Sequence, residues 1–594
     1  MSLPADDLHS AWAQLLAASL RQSGVAQAVI SPGSRSTPLA LALAAHLPTT
    51  VLHDERAAAF FALGQARATG RVSVVLATSG TAPGHWLPAA MEAREAGLPL
   101  LLLSADRPWE VQQAQASQTV DQVRLFGHHA NAYFELGVPD AHPAALRAVP
   151  RIAAQAVLAT QYPLAGAVQV NAHFRKPLEP QPRTGQEPWF AQWQAVAQAG
   201  APRLLPPQPQ PHPDAVAELV ARVRSAPRGL LVAGPAPATQ ADAHRAAVRR
   251  FAAASGYVLL AEATSQLRFG AGVPGTCGSF DALLRAPELR RALRPDLALE
   301  IGAPAVSAQW LAWADGPDAP PRLVLPGPRP ADPAGGALGM LLGPVAALLD
   351  AAAAVLASTP TGAAAAAYRQ AWSSAEAAAW AARTVALPLD AALHEHHIAP
   401  LLRAALPAGA WLAIGNSSPV RDLDHDLPPD AQPLTLLHQR GAAGIDGLVA
   451  GAAGARSVIA PPLALLLGDV SLLHDAGGLA AAAGVRGPLP IVVVHNDGGR
   501  IFERLPLGRD ACVAAAREQL FVVPHGRALQ GLAQTFCLPH CVVQTPAELS
   551  TALAAALADD RAWLIEARVA PGGSAQRAAL LAAMAAAGAR AVAA

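Results

Sequence analysis

Two segments near the C-terminus decide the fold. Gly468-Asp469-Val470-Ser471 closes the apolar run Leu463–Leu467, and His495-Asn496-Asp497-Gly498-Gly499 closes the apolar run Leu489–Val494. Neither run alternates polar with apolar residues, so each reads as a strand buried on both faces of a parallel sheet. A helix fits between them, over about 473–484. A right-handed β-α-β unit sets both strand ends on one sheet edge. One carboxylate (Asp469), one side-chain amide oxygen (Asn496) and the Gly498 carbonyl can then converge. These are hard oxygen donors. They are too few to cage Mg²⁺ alone and suit a cation that also holds diphosphate oxygens and water. Gly468, Ser471, Gly498 and Gly499 are small enough to let backbone amides approach a phosphate. An ordinary β-α-β unit with polar loop ends would use the same residues. The neighbouring acids Asp475 and Asp497 read as solvated loop residues.

Outward from this unit the pattern repeats. Apolar runs end in small or polar residues at Trp411–Gly415, Leu434–His438 and Trp563–Arg568. In the middle of the chain they stand at Gly229–Gly234, Tyr257–Ala261, Leu297–Gly302 and Arg322–Pro326. Near the N-terminus, Ala28–Ile30 precedes SPGSRS, Val72–Ala77 precedes TSGTA, and Leu98–Leu103 precedes SADRP. Residues 176–213 are rich in Pro and Gln and read as a surface linker. Residues 350–367, mostly Ala with Thr and Pro, read as a low-complexity join. The expected class is α/β, with three doubly wound, mostly parallel domains at about 1–185, 205–350 and 375–594. Ligands of such sheets sit at the carboxyl ends of the strands.

The bulk numbers agree with a multidomain protein and exclude several other classes. The 594 residues exceed one ordinary core, and 52% of them are hydrophobic. With 43 basic and 43 acidic residues the formal charge is zero, which gives no general case for nucleic-acid binding. The basic residues are almost all arginine, with Lys176 the lone lysine. MSLPADDLHSAWAQLL has early acids and no basic n-region, unlike a secretory signal. The apolar runs are too short to span a membrane. Cys277, Cys512, Cys537 and Cys541 do not form a disulfide framework. Cys537-Leu-Pro-His540-Cys541 has no second ligand pair and reads as a loop with small buried thiols. A cytoplasmic protein is the default expectation.

The Gly-Asp…Asn spacing resembles the motif of thiamin-diphosphate enzymes. That chemistry needs a carboxyl group at the aminopyrimidine N1′, best placed where apolar surroundings raise its pKa. Glu55, in Val51-Leu-His-Asp-Glu-Arg-Ala-Ala-Ala-Phe-Phe, closes an apolar strand and opens a helix. A helix N-terminal acid that favours the dipole is the alternative use of the same residue.

Taken together, the motifs resemble the 2-succinyl-5-enolpyruvyl-6-hydroxy-3-cyclohexene-1-carboxylate synthase family of the menaquinone pathway over nearly the whole chain. The matching phrases are Ser31-Pro-Gly-Ser-Arg-Ser-Thr-Pro-Leu39, Asp54-Glu-Arg56, Thr78-Ser-Gly-Thr-Ala82, Ser104-Ala-Asp-Arg-Pro108, the Gln118 region and Ala165–Pro180. In the last domain they are Gly415-Asn-Ser417, Arg421, Arg440-Gly-Ala-Ala-Gly-Ile-Asp-Gly447 and Gly498-Gly-Arg-Ile-Phe-Glu-Arg-Leu-Pro506. The resemblance implies a thiamin-diphosphate- and Mg²⁺-dependent transferase, with Mn²⁺ able to replace Mg²⁺. It implies decarboxylation of 2-oxoglutarate and conjugate addition of the succinyl carbanion equivalent to isochorismate. It also implies a homodimer or homotetramer with active sites at the interface. Residue by residue, Glu55 activates the cofactor and Ile445 props it in its bent form. Asp469, Asn496 and Gly498 hold the metal. Gly468, Ser471, Gly499, Phe502 and Leu505 shape the cofactor pocket. Ser417, Arg421 and Arg440 contact the oxoacid carboxylates, where arginine forks suit bidentate binding. Ser34, Arg35, Arg107 and Gln118 contact isochorismate or the carbanion intermediate.

The chain departs from the family pattern at four positions. Ala308 and Gln309 stand where the family has a basic pair, His85 where it often has Asn, and Gly477 where Asn is usual. The missing basic pair bears on the second substrate and leaves the thiamin half of the reading untouched. Two other readings use the same residues: a thiamin-diphosphate decarboxylase or carboligase with different substrates, and a non-catalytic relative acting as a scaffold. No dinucleotide is expected in the middle domain, which lacks a GxGxxG.

Overall fold

The computed structural model describes residues 7–181, 187–358, 362–387 and 390–593. Among these, helices alternate with three sheets whose strand pairs are all parallel. The first sheet contains β1 (Gln27–Ile30), β2 (Thr49–Val51), β3 (Ser73–Ala77), β4 (Leu100–Asp106), β5 (Ala130–Gly137) and β6 (Ala167–His173), in the order β2-β1-β3-β4-β6-β5. The second contains β7 (Gly229–Ala233), β8 (Val258–Ala261), β9 (Leu297–Ile301), β10 (Arg322–Leu325) and β11 (Gly339–Met340), in the order β11-β10-β9-β7-β8. The third contains β12 (Trp411–Ile414), β13 (Thr435–His438), β14 (Leu463–Gly468), β15 (Leu489–His495), β16 (His540–Val543) and β17 (Ala562–Arg568), in the order β13-β12-β14-β15-β17-β16. The third sheet repeats the first strand for strand. The α/β class with parallel sheets is the one the buried apolar runs imply.

The strand order creates the sites. In the first sheet the chain leaves β1 toward β2, then crosses to β3 on the other side. The third sheet does the same from β12 to β13 and on to β14. Loops diverge at such a switch point and leave a crevice outside the strand ends. The loops at the two switch points are Ser31–Arg35 with Thr78–Gly80, and Gly415–Ser417 with Gly468–Ser471. Central strands such as β3 and β4 are buried along their whole length. Their Val and Leu side chains are therefore fixed by packing on both faces.

Several local expectations are corrected. The linker stretch 176–213 contains a helix, Phe190–Ala199; residues 182–186 of that stretch lie outside the described residues. The join at 350–367 is largely helical, within Val345–Leu356 and Ala363–Ala386, and Leu356 and Ala365 are buried; residues 359–361 lie outside the described residues. Alanine-rich composition here marks helices packed through small residues. The single helix expected over 473–484 is two short ones, Asp469–His474 and Gly478–Ala483, broken at Asp475–Gly477. Cys537 is exposed and Cys541 half-buried, not a pair of buried thiols, and His540–Val543 is a strand. β5 and β6 escaped the apolar-run reading because β5 is a half-buried edge and β6 carries Gln169 and Asn171 inward.

By internal contacts the chain divides into two compact units: Met1–Pro207 with Gln439–Ala460 and Leu473–Arg486, and Gln208–His438 with Pro461–Leu472 and Gly487–Ala594. In the first unit the helix Glu55–Thr69 packs on the helix Leu448–Arg456 through glycines. A Cβ on Gly64 would lie 2.0 Å from the Gly451 carbonyl oxygen, and one on Gly454 2.0 Å from that of Phe61. The two backbones touch. We expect Gly64→Ala to lower the melting temperature, because overpacking costs about 1–3 kcal/mol against a helix-propensity gain of about 1 kcal/mol. Gly531→Ala, in the helix Gln530–Thr535 with open space at its Cβ, should not lower it. A Gly64→Ala protein as stable as wild type would contradict the backbone contact.

Candidate active site

In the second unit the crevice of the third sheet collects the expected metal residues. Asp469 begins a helix directly after β14 and is 2% exposed. Its Oδ1 accepts the Val470 amide at 2.7 Å, and its Oδ2 accepts the Gly498 amide at 3.1 Å and faces His525 Nε2 at 3.2 Å. His495 Nε2 stands 4.0 Å from the same carboxylate. Asn496, next to the end of β15, donates Nδ2 to Glu395 Oε1 at 2.8 Å, so its amide oxygen is turned away from that carboxylate. Gly498 presents its amide to Asp469, while its carbonyl accepts the Arg500 amide at 2.9 Å. Its φ of 122° and the Val522 oxygen, 2.4 Å from any Cβ, restrict this position to glycine. Gly468 has open space where a Cβ would be, Ser471 is buried, and the Gly499 amide donates to Val522 O at 2.7 Å. Phe502 packs on Phe521 at 5.5 Å between ring centroids, and Leu505 is exposed.

Buried acids hold these groups. Glu566 on β17 is fully buried. It receives His495 at 2.9 Å, His540 at 3.1 Å and Arg568 at 2.7 Å. Burial pushes its carboxyl up, but those donors outweigh burial and hold it well below the usual range. Glu395 is 6% exposed and paired with Arg504 at 2.8 Å. Burial and the neighbouring Asp422 raise its carboxyl pKa against the pull of Arg504 and Asn496. Arg504 also binds Asp422 at 2.9 Å, and Arg577 ties Asp422 to the buried Asp426. A cavity of about 680 Å³ opens beside Glu395, Asn496, Asp497 and Arg500. At the end of β12, Ser417 has φ 69° and ψ −126°, and Arg421 Nη1 donates to its carbonyl at 2.7 Å. Such strain in a non-glycine residue marks functional loops.

The first unit carries the other set. Ser34 is exposed and opens a short turn after β1. Arg35, 7% exposed, donates to the Phe174 carbonyl at 2.6 Å. Burial and then Arg107 lower its pKa, with Asp106 opposing. Arg107 Nε donates to the Gln118 carbonyl at 3.3 Å, and Ser79 Oγ donates to the same oxygen at 3.0 Å. Gln118 itself has φ 57°. Arg35, Arg107 and Gln118 thus belong to one cluster at the first sheet's carboxyl edge. Asp54 caps the helix Glu55–Thr69, accepting the Arg56 and Ala57 amides at 2.9 and 3.2 Å. The capping task therefore falls to Asp54 and leaves the half-buried Glu55 carboxylate uncommitted to it. Arg440 and Ile445 lie on the loop before the helix Leu448–Arg456. The buried Glu92 anchors that loop through the Gly441 and Ala442 amides at 3.1 and 2.7 Å. A Cβ on Gly477 would lie 2.5 Å from Asp54 Oδ2, so a larger residue there would displace the cap.

Asp475 corrects an expectation. It is fully buried rather than solvated, and Oδ2 accepts the Val449 and Ala450 amides at 2.8 and 3.0 Å. It caps the helix Leu448–Arg456 from 25 residues away in sequence. Asp497 keeps a half-exposed carboxylate but accepts the Gly526 and His525 amides at 2.7 and 3.0 Å. Sequence reasoning passed over His495, His525, Glu395, Glu566 and Glu92. His495 stood inside a quoted segment; Glu395, Glu566 and Glu92 carry no local signal, because their partners are distant in sequence. Burial pushes the Asp475 carboxyl up to about 7 against the two amides. Its folded pKa exceeds the unfolded value, so folding binds a proton that the unfolded chain releases, and stability falls as pH rises from about 4 to about 7. We expect Asp475→Asn to flatten this fall, by up to about 4 kcal/mol across that window. Equal pH slopes of melting temperature in both proteins would contradict the assignment.

Comparison with known proteins identifies the relatives of this chain. The family "Thiamine pyrophosphate enzyme, N-terminal TPP binding domain" matches residues 11–125. A protein of Sorangium cellulosum (strain So ce56), named 2-succinyl-5-enolpyruvyl-6-hydroxy-3-cyclohexene-1-carboxylate synthase, is 48% identical over 593 residues, covering 97% of this chain and 95% of its own. A protein of the same name from Myxococcus xanthus (strain DK1622) is 41% identical over 534 residues, 88% of each chain. Among solved structures, the thiamine diphosphate-dependent 4-hydroxybenzoylformate decarboxylase of Rhodococcus jostii RHA1 superposes with a TM-score of 0.70 at 18% identity, covering 95% of this chain and 99% of its own. That likeness speaks for the fold.

Proposed function

Because the chain belongs to the 2-succinyl-5-enolpyruvyl-6-hydroxy-3-cyclohexene-1-carboxylate synthase family, we propose how its residues divide the work of that reaction. It is a thiamin-diphosphate-dependent enzyme of menaquinone biosynthesis that decarboxylates 2-oxoglutarate and carries out the carboligation. The acceptor is isochorismate. The observation that carries the reading is the placement of Asp469 and Asn496 at neighbouring strand ends beside the switch point, with two buried acids, Glu566 and Glu395, behind the end of β15.

The donor set fits a diphosphate-bound divalent cation. Asp469 supplies a buried carboxylate, Asn496 an amide oxygen turned away from Glu395, and Gly498 its carbonyl; Gly468 leaves room for phosphate oxygens. Mg²⁺ is the natural occupant of such oxygen donors, and Mn²⁺ accepts them too. When bound, thiamin diphosphate supplies an electron sink for 2-oxoacid decarboxylation. Glu55 would hold a proton at the cofactor's pyrimidine nitrogen, and Ile445 would support the cofactor. Ser471 and Gly499 would hold the diphosphate end of the cofactor, while Phe502 and Leu505 would line its pocket. Ser417, Arg421 and Arg440 hold the oxoacid carboxylates. Ser34, Arg35, Arg107 and Gln118 hold the acceptor, and Arg35 and Arg107 take over from the absent basic pair at Ala308 and Gln309. The domain assignment is 1–185 for the pyrimidine side, 205–350 for the central domain and 375–594 for the diphosphate side. The assembly is a homodimer or homotetramer with active sites at the interface, and the protein is cytoplasmic. Among the described residues no helix is long and apolar enough to cross a membrane.

The test is product analysis with 2-oxoglutarate, with and without isochorismate. We expect the ligated product only with both, and about a 10²- to 10⁴-fold loss of kcat in Glu55→Gln. Pyruvate should be a poor donor, because it leaves an arginine without its second carboxylate. Arg421→Ala should erode that preference. Equal turnover of pyruvate by the wild type, or no ligated product, would overturn the substrate assignment.

A further inference from the structure

The carboxyl edge of the first sheet holds a second buried polar cluster, behind Arg107, that the division of labour above leaves unused. β4 ends in Asp106, β6 in Asn171 and His173, and β5 carries Tyr133 and Glu135. Asp106 is 1% exposed. It accepts the Arg107 amide at 2.7 Å and Asn171 Nδ2 at 2.9 Å. On the other side of the same residue, His173 Nδ1 makes a short hydrogen bond to the Arg107 carbonyl. His173 Nε2 meets Glu135 Oε1 at 2.9 Å, and Tyr133 donates its hydroxyl to Glu135. The backbone of Arg107 is therefore gripped at both its N–H and its C=O, which fixes where its guanidinium starts.

We propose that His173, braced by Glu135, is a positioning residue for the acceptor site: it holds the Arg107 carbonyl and so aims the Arg107 guanidinium at the acceptor's carboxylates. The inference rests on the reading of Arg107 as an acceptor contact. Both ring nitrogens of His173 face oxygen acceptors, a carbonyl on one side and a carboxylate on the other. A neutral imidazole has one N–H and can serve one of them; the imidazolium serves both. Burial lowers the pKa of His173, but Glu135, the Arg107 carbonyl and Asp106 outweigh burial and raise it. A further charged group near it is Glu110, paired with Arg175 at 2.6 Å. The grip is complete below the raised pKa of His173 and weakens as pH climbs through it.

The experiment is a double-mutant cycle on Arg107 and His173 with full steady-state kinetics. Losing a charged hydrogen bond that holds the arginine should raise the isochorismate KM about tenfold in His173→Gln, with a much smaller change in the 2-oxoglutarate KM. The wild-type isochorismate KM should climb with pH above neutrality, and that of His173→Gln should stay flat. Because His173 acts through Arg107, the double variant should match Arg107→Ala alone. Glu135→Gln, at a more exposed position, should show a weaker form of the same KM and pH effects if His173→Gln does not fold. Additive effects, or an unchanged isochorismate KM in a folded His173 or Glu135 variant, would overturn the proposal. An Arg107→Ala enzyme with normal isochorismate kinetics would instead remove Arg107 from the acceptor site, and the proposal with it.

Discussion

The Asp469 carboxylate, 2% exposed, is the group around which the third sheet's loops are arranged. A lone buried carboxylate would neutralise itself or unfold its surroundings. Here it is met by the Gly498 amide and His525, with His495 close by. Those donors come from the loop after β15 and from the segment beyond Val522, so one charge ties three stretches of chain to a single point. The strand order makes the meeting possible. β12 and β14 diverge at the switch point, and β15 lies next to β14. Glycine at 468 and 498 leaves room for the close approach.

The remaining candidate groups follow the same logic. Four of them have a partner that fixes their placement: Glu566 for His495, Glu395 for Asn496, Glu92 for the Arg440 loop, and Asp106 with His173 for Arg107. Buried charges of this kind contribute little net stability unless well paired, and removing one partner is costly. Their value is positional, since ligand-binding groups act only when their own supports are rigid. The network from Glu395 through Arg504 and Asp422 to Arg577 and Asp426 shows how far the support extends.

The class of fold was legible because unbroken apolar runs mark parallel strands, and β14 and β15 end where Leu467 and Val494 stop being followed by apolar residues. The Gly-Asp…Asn spacing set the candidate metal residues Asp469 and Asn496 at neighbouring strand ends for the same reason. What escaped was non-local. Nothing near Asp475 in sequence announces that it caps a helix beginning at Leu448, so a polar residue beside glycines read as solvated. The alanine-rich join likewise read as low complexity, although Ala is the residue that helices use when they pack closely. β5 was missed because an edge strand needs only a half-buried face. Glu55 is legible as a first-turn acid of its helix, and the cap itself is Asp54.

We propose that Asp469 anchors a divalent cation carrying thiamin diphosphate. The direct measurement is calorimetric titration of thiamin diphosphate into wild type and Asp469→Ala, each with saturating Mg²⁺ and with the metal removed. We expect tight binding by the wild type with Mg²⁺, weak binding without it, and weak binding by a folded Asp469→Ala protein in both conditions. Binding that ignores Mg²⁺, or an Asp469→Ala protein that binds as tightly as the wild type, would contradict it.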